Sequence, residues 1–155
     1  MGRRGSLGAA LAKHSRVGLD SSVLIYHLEG LAPYAALTKV VIAELARGAF
    51  TALISTISVT EILVKPLSDG AEDKVQICKA FLEELPNALF VPPSVAIAEE
   101  AARLRAVHKL RTPDALLIAT ALEEGATAFL TNDERLRRVE AEGISLLVLR
   151  DYVGS

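Results

Sequence analysis

The 155-residue sequence contains one cysteine, no tryptophan and three histidines. Cys78 has no second cysteine with which to form a disulfide or a zinc site. His14, His27 and His108 lack the spacing of paired metal ligands, which argues against zinc and against Ser–His–Asp or Cys–His nucleophilic catalysis. A Gly-rich phosphate loop and a dinucleotide-binding fingerprint are also missing from the sequence.

The sequence also lacks a long apolar run and a strong net charge. No stretch approaches the roughly 20 apolar residues of a membrane span, so we expect a cytoplasmic protein without membrane association. The formal net charge of −2 gives no overall attraction to a polyanion, and contacts with nucleic acid would need local basic groups or bound cations. Three tyrosines and four phenylalanines are too few for an extensive base-stacking platform.

The first 15 residues differ from the rest of the chain. They contain arginines and small residues, but Lys13 and His14 interrupt them and the apolar run is too short for a signal peptide. We interpret residues 1–15 as a loose N-terminal arm and residues 16–155 as one domain. A chain of this length can bury one core without the help of a disulfide or metal.

Short apolar runs alternate with longer stretches of helical periodicity in the domain. This alternation is typical of an α/β fold, in which helices cover a parallel sheet. The apolar runs predict strands at about 16–19, 51–54, 88–91, 127–130 and 144–149. The periodic stretches predict helices at about 21–28, 33–48, 69–86, 94–110 and 112–125.

Four acidic residues lie where a predicted strand or loop gives way to a helix: Asp20, Glu61, Asp114 and Asp133. Each has an alternative structural interpretation, because acids and hydroxyls at helix starts act as caps and favour the helix dipole. Ser58 with Glu61, and Thr131 with Glu134, have the spacing of a capping box.

The shared position of these acids favours a metal site over simple capping. In open α/β sheets, ligands bind outside the carboxyl ends of the strands, where the strand order reverses. Carboxylates within about 4–6 Å of each other repel unless a cation neutralises them. All-oxygen ligands select hard cations, so the sequence predicts Mg²⁺ or Mn²⁺ bound by these acids.

Four segments resemble, in order and spacing, the acidic motifs of PIN-domain ribonucleases, and above all toxins of the VapBC type. They are "LDSSVLIYHLEG", "ISVTEIL", "RTPDALLIATAL" and "FLTND". The resemblance implies a three-layer α/β/α domain with a central, mainly parallel five-stranded sheet. It also implies cleavage of RNA by an Mg²⁺- or Mn²⁺-dependent endoribonuclease, a homodimer, and a small antitoxin protein as partner.

The resemblance also assigns roles to individual residues. Asp20 and Asp114 would be the principal metal ligands, and Glu61 and Asp133 would complete the catalytic cluster directly or through water. Ser22 and Thr131 would support it by orienting ligands or water. The sequence leaves open whether Glu61 or Asp133 accepts the proton of the attacking water.

Basic residues near these acids are candidates for contacts with RNA. Arg111 precedes Asp114 and Arg135 follows Asp133, so both are placed to contact phosphates. The ordinary alternative is that they are solvated surface residues.

Two other functions are compatible with parts of the pattern. A non-catalytic binding module would keep the fold and use the acids as helix caps. A phosphotransfer domain would be phosphorylated on Asp20, but it needs a second acid beside that residue, where the sequence has Ser21 and Ser22.

Overall fold

The computed structural model describes residues 5–154, which form a five-stranded sheet and helices. The strands are β1 (Arg16–Leu19), β2 (Thr51–Ser55), β3 (Ala88–Val91), β4 (Ala128–Thr131) and β5 (Ser145–Val148). The helices are α1 (Leu7–Leu11), α2 (Ser21–Glu29), α3 (Tyr34–Ala46), α4 (Thr56–Ser68), α5 (Glu72–Glu84), α6 (Val95–His108) and α7 (Thr112–Glu123), with 3₁₀ helices at Glu134–Glu142 and Leu149–Tyr152. In this part of the chain, no helix is both long and apolar enough to cross a bilayer.

All the strand pairs of the sheet are parallel, and the strand order is β3-β2-β1-β4-β5. The predicted α/β fold is therefore confirmed, with a sheet that is entirely rather than mainly parallel. From β1 the chain builds outward to β2 and β3, then returns to the other side of β1 to add β4 and β5. The strand order thus reverses between β1 and β4, which is where a ligand site is expected.

The sheet has a core on each face, which explains why its strands are continuous apolar runs rather than polar–apolar alternations. Val17, Leu19 and Ile54 belong to one cluster of buried residues, together with side chains of α1, α2 and α3. Leu53 and Phe129, their neighbours in the strands, belong to a second cluster with α6 and α7. Successive residues point to opposite faces, and both faces are covered by helices.

Gly18 allows the central strand to approach its neighbours closely. A Cβ atom at this position would lie 2.6 Å from the Cβ of Ala121 in α7 and 2.7 Å from Cδ1 of Phe129 in β4. Both distances are shorter than van der Waals contact, so a side chain larger than hydrogen cannot fit without displacing α7 or Phe129. The glycine directly precedes Leu19 and Asp20, and it therefore fixes the packing next to the candidate site.

Part of the N-terminal segment is packed, contrary to the expectation of a loose arm. Ser6 caps α1 by accepting a hydrogen bond from the amide of Ala9, and Leu7 and Leu11 are buried in the core cluster that contains Val17. The helix is too short for its periodicity to be recognised in the sequence, and its stability comes from the burial of two leucines. Residues 1–4 of the arm lie outside the described residues.

Candidate active site

Asp20 lies at the carboxyl end of β1, beside the end of β4. Its amide donates to the carbonyl of Leu130 over 2.9 Å, which extends the pairing of the two strands by one residue. Thr131 Oγ1 donates to Asp20 Oδ2 over 2.6 Å. Asp20 occupies the N-cap position of α2, but its side chain makes no capping hydrogen bond there. The carboxylate interacts instead with the Thr131 hydroxyl and with the backbone of Ser21, the first residue of α2.

The environment of Asp20 raises the pKa of its carboxyl group. Burial is the largest cause, and together with the negative charges of Asp114 and Glu61 it raises the pKa of Asp20 from 3.8 to about 6, against the lowering effect of the Thr131 hydrogen bond. The negative charges of the two other acids thus disfavour ionisation of Asp20. That Asp20, Asp114 and Glu61 form one cluster with Asp133 stays a prediction.

Glu61 lies inside α4, beyond the first turn. The alternative interpretation of Ser58 and Glu61 as a capping box does not apply, because Ser55 caps the helix by accepting from the amide of Ile57, and Ser58 is fully buried. Ser21 Oγ lies 2.8 Å from Glu61 Oε1 and 2.7 Å from Ser58 Oγ. A carboxylate only accepts hydrogen bonds, so Ser21 donates to Glu61 and Ser58 donates to Ser21.

Asp133 is the N-cap of the 3₁₀ helix Glu134–Glu142 and accepts from the amide of Arg135 over 3.0 Å. The alternative interpretation of Thr131 and Glu134 as a capping box therefore does not apply, although Thr131 Oγ1 accepts from the amide of Asp133 over 3.1 Å. The Arg135 guanidinium binds both carboxylate oxygens, with Nε 3.0 Å from Oδ1 and one terminal nitrogen 2.9 Å from Oδ2. These hydrogen bonds lower the pKa of Asp133.

Asp114 lies in the first turn of α7, after Pro113 and three residues beyond the N-cap residue Arg111. Arg111 Nε donates to Asp114 Oδ2 over 3.3 Å, which is a long and single contact. Both arginines that were predicted to contact RNA therefore form ion pairs with acids of the site. Each arginine is two or three residues from its acid, and this spacing could have suggested the ion pairs. It could not have suggested that Arg135 binds both oxygens of Asp133.

The supporting residues differ in part from those expected. Thr131 donates a hydrogen bond to Asp20, and its role in orienting ligands or water stays a prediction. Ser22 Oγ, by contrast, is buried and has no hydrogen-bond partner among residues 5–154. Sequence reasoning missed Ser21 and Ser58, which form the hydrogen-bonded chain to Glu61. Ser58 stands three residues before Glu61, and this helical spacing was a usable signal.

The four acids do not form a closed metal cage. In the described part of the chain, no group of three or more His, Cys, Asp or Glu side chains is placed to hold a metal ion. Mg²⁺ is nevertheless usually held by only one or two carboxylates, with water and phosphate oxygens in the other positions. The donor set of Asp20, Asp114 and Glu61 is made only of oxygen atoms, and Asp20 lies at the strand-order reversal, so the chemistry of this set fits Mg²⁺ or Mn²⁺. Joint coordination by all four acids stays a prediction.

A groove of about 520 Å³ starts beside Glu61 and runs between α2, α4 and α5. Its apolar side chains include Ile25, Leu28, Ile62 and Ile77. Charged residues of both signs, Glu29, Lys65, Asp69 and Lys74, also line it. The groove is thus lined by Glu61 of the candidate site together with apolar side chains and charged side chains of both signs.

Comparisons with known proteins agree with this architecture. The family model of the PIN domain matches residues 17–142. Among solved structures, the chain is similar to one from the Rickettsia felis VapBC2 complex with promoter DNA, at 15% identity and a TM-score of 0.65, over 86% of this chain and 98% of the other. It is similar at 21% identity and a TM-score of 0.62 to a chain of a Klebsiella pneumoniae toxin-antitoxin complex, over 86% and 97%. A chain of DNA-bound Salmonella typhimurium VapBC matches at 17% identity and a TM-score of 0.59, over 86% and 98%. No curated protein matches the sequence.

Proposed function

Because the chain belongs to the PIN-domain family, we propose that it is a metal-dependent endoribonuclease that hydrolyses phosphodiester bonds of RNA. The observation that carries the proposal is the carboxylate of Asp20, which is buried at the strand-order reversal and on which the charges of two further acids act. Such an arrangement is unfavourable in a metal-free protein at neutral pH, and a divalent cation would relieve it.

Asp20 and Asp114 would hold Mg²⁺ or Mn²⁺, and Glu61 would complete the site. When bound, the cation would supply the positive charge that stabilises the scissile phosphate and activates the attacking water. Thr131 holds one oxygen of Asp20 by its hydrogen bond and so orients the other. The buried hydroxyl of Ser22 is available to a ligand or a water molecule, because it has no partner among the described residues.

Glu61 is a better candidate than Asp133 for orienting the attacking water and accepting its proton. Only Oε1 of Glu61 is bound by Ser21, whereas Arg135 occupies both oxygens of Asp133. Arg111 and Arg135 are exposed and basic, so they would contact the phosphates on either side of the bond that is cut. In this scheme the two arginines bind the RNA, and Glu61 accepts the proton.

The biological role that we propose is that of the toxin in a toxin–antitoxin pair, acting in the cytoplasm as a homodimer. Its support is the likeness of the fold to chains of toxin-antitoxin complexes. A small antitoxin would bind the groove beside Glu61 with an apolar face and block access to the acids. The charged residues of both signs that line the groove suit a partner with both acidic and basic side chains.

A non-catalytic binding module is the second candidate. It is favoured by the ion pairs of Arg111 and Arg135, which already neutralise two of the four acids, and by the lack of a three-ligand cluster within residues 5–154. Such a module would bind nucleic acid or protein without needing a metal.

Cleavage of a mixed RNA pool distinguishes the two candidates. The wild type, Asp20→Asn and Asp114→Asn would be compared in Mn²⁺, in Mg²⁺ and in a chelator. Asp73→Asn is a matched control, because Asp73 is an exposed acid at the start of α5. The nuclease proposal expects cleavage by the wild type and the control only when metal is present, and a loss of at least about a hundredfold in both site variants. Equal cleavage by all the proteins, or cleavage in chelator, would contradict it.

A further inference from the structure

Arg135 binds Asp133 more completely than Arg111 binds Asp114. Three donors of Arg135, the backbone amide, Nε and a terminal nitrogen, lie 2.9 to 3.0 Å from the two oxygens of Asp133. A carboxylate offers about four acceptor positions, so roughly three are already used. Arg111 makes a single contact of 3.3 Å with Asp114 and leaves the other oxygen of that acid open.

The charges of the two ion pairs, Arg111 with Asp114 and Arg135 with Asp133, also act on each other. Arg135 also acts electrostatically on Asp114, and Arg111 acts on Asp133. Among the hydrogen bonds and ion pairs of residues 5–154, neither Asp20 nor Glu61 has a basic partner. The site therefore has two halves, one neutralised by arginines and one whose negative charge is unpaired.

We propose that Arg135 is an internal competitor of the metal, a guanidinium that occupies Asp133 and has to leave it before that carboxylate can face the cation. This inference rests on the proposed function and concerns the regulation of the same site. Two physical effects make Arg135 a competitor. It fills the oxygen positions that a metal or its water ligands would use, and its positive charge repels a cation at the neighbouring acids.

Breaking the ion pair between Arg135 and Asp133 costs little free energy. Its side chain is 74% exposed, whereas that of Asp133 is 26% exposed. An exposed ion pair is weak, because water replaces its hydrogen bonds. The freed guanidinium can turn to an RNA phosphate, which also prefers two-pronged contacts with arginine. Binding of the metal and binding of RNA would then be coupled through this side chain.

The test is a Mn²⁺ titration of the full chain without RNA, with free Mn²⁺ followed by electron paramagnetic resonance. Arg135→Gln removes the charge and the guanidinium but keeps the backbone amide that Asp133 caps. Arg138→Gln is the matched control, because Arg138 is an exposed arginine of the same 3₁₀ helix that contacts the carbonyl of Arg135 and no acid of the site. Arg135→Lys keeps the charge but loses the two-pronged contact.

We expect Arg135→Gln to bind Mn²⁺ roughly two- to fivefold more tightly than the wild type, which is the range for losing an exposed ion pair. The Mn²⁺ affinity of Arg135→Lys should lie between those of Arg135→Gln and the wild type, and that of Arg138→Gln should equal that of the wild type. If the Gln variant is unfolded by circular dichroism, the Lys variant decides.

Equal or weaker binding by a folded Arg135 variant would overturn the inference while leaving the proposed metal site intact. Equal tightening in Arg138→Gln would also overturn it, since the effect would then be one of net charge. If the wild type binds no more Mn²⁺ than Asp20→Asn, the proposed metal site fails, and the inference fails with it.

Discussion

Replacement of Asp20 by asparagine should stabilise the metal-free protein at neutral pH. The folded protein binds the proton of Asp20 more tightly than the unfolded chain does, because burial and the two neighbouring acids raise its pKa. Ionisation of Asp20 therefore lowers the free energy of unfolding as the pH rises from about 4 to above 6. Asparagine does not ionise, and its Oδ1 can still accept the hydrogen bond from Thr131.

The magnitude follows from the two pKa values. The difference between 3.8 and about 6, at about 1.4 kcal/mol for each pKa unit, corresponds to a loss of about 3 kcal/mol in the wild type once Asp20 is fully ionised. The free energy of unfolding of Asp20→Asn should thus exceed that of the wild type by up to about 3 kcal/mol near pH 7.5, and by much less near pH 4. Saturating Mg²⁺ should reduce the difference, because it stabilises only the wild type.

Urea unfolding in chelator at several pH values measures this effect. Asp133→Asn provides a contrast of opposite sign, because hydrogen bonds from Arg135 lower the pKa of Asp133. Its carboxylate stabilises the fold above the ordinary pKa range of aspartate, and this contribution is lost as the pH falls through the depressed pKa. The reasoning would be refuted if Asp20→Asn and wild type differed in free energy of unfolding by the same amount from pH 4 to 7.5. It would also be refuted if the variant became less stable than the wild type as the pH rose.

Two further predictions concern the scaffold and can be checked by urea unfolding. Gly18→Ala should destabilise the protein by about 1–3 kcal/mol, because its methyl group would overlap Ala121 and Phe129, and an unchanged midpoint would contradict this packing. Leu11→Ala should lower stability by about 2–5 kcal/mol if α1 is part of the core, whereas a loose arm would make the substitution neutral.

The strands and the main helices were predictable because their signals are local. Runs such as Val17–Leu19 and 128–131 are apolar and short, and with both faces of the sheet buried they leave little ambiguity. Helix α4 (Thr56–Ser68) was not delimited, because its cap is Ser55, a residue that also ends β2. The short helix α1 has too few residues to show a period, and only tertiary burial stabilises it.

The sequence predicts the acids of the candidate site but not their hydrogen-bond partners. The position of Asp20 after a central strand and the order of the acidic motifs predict a cluster with Glu61, Asp114 and Asp133, and the charges of Asp114 and Glu61 act on Asp20. Whether Arg135 faces solvent or Asp133 depends on the turn that ends β4 and on the start of a 3₁₀ helix. The hydrogen bonds of Ser21 require α2 and α4 to lie side by side, which no local pattern specifies.

The most direct test of the central claim is anomalous diffraction from a crystal of the protein soaked in Mn²⁺. The account predicts a peak about 2 Å from a carboxylate oxygen of Asp20 and from one of Asp114, with Glu61 within reach of its water ligands. A soaked crystal in which Mn²⁺ binds elsewhere, or in which these oxygens face water alone, would contradict the metal-dependent nuclease.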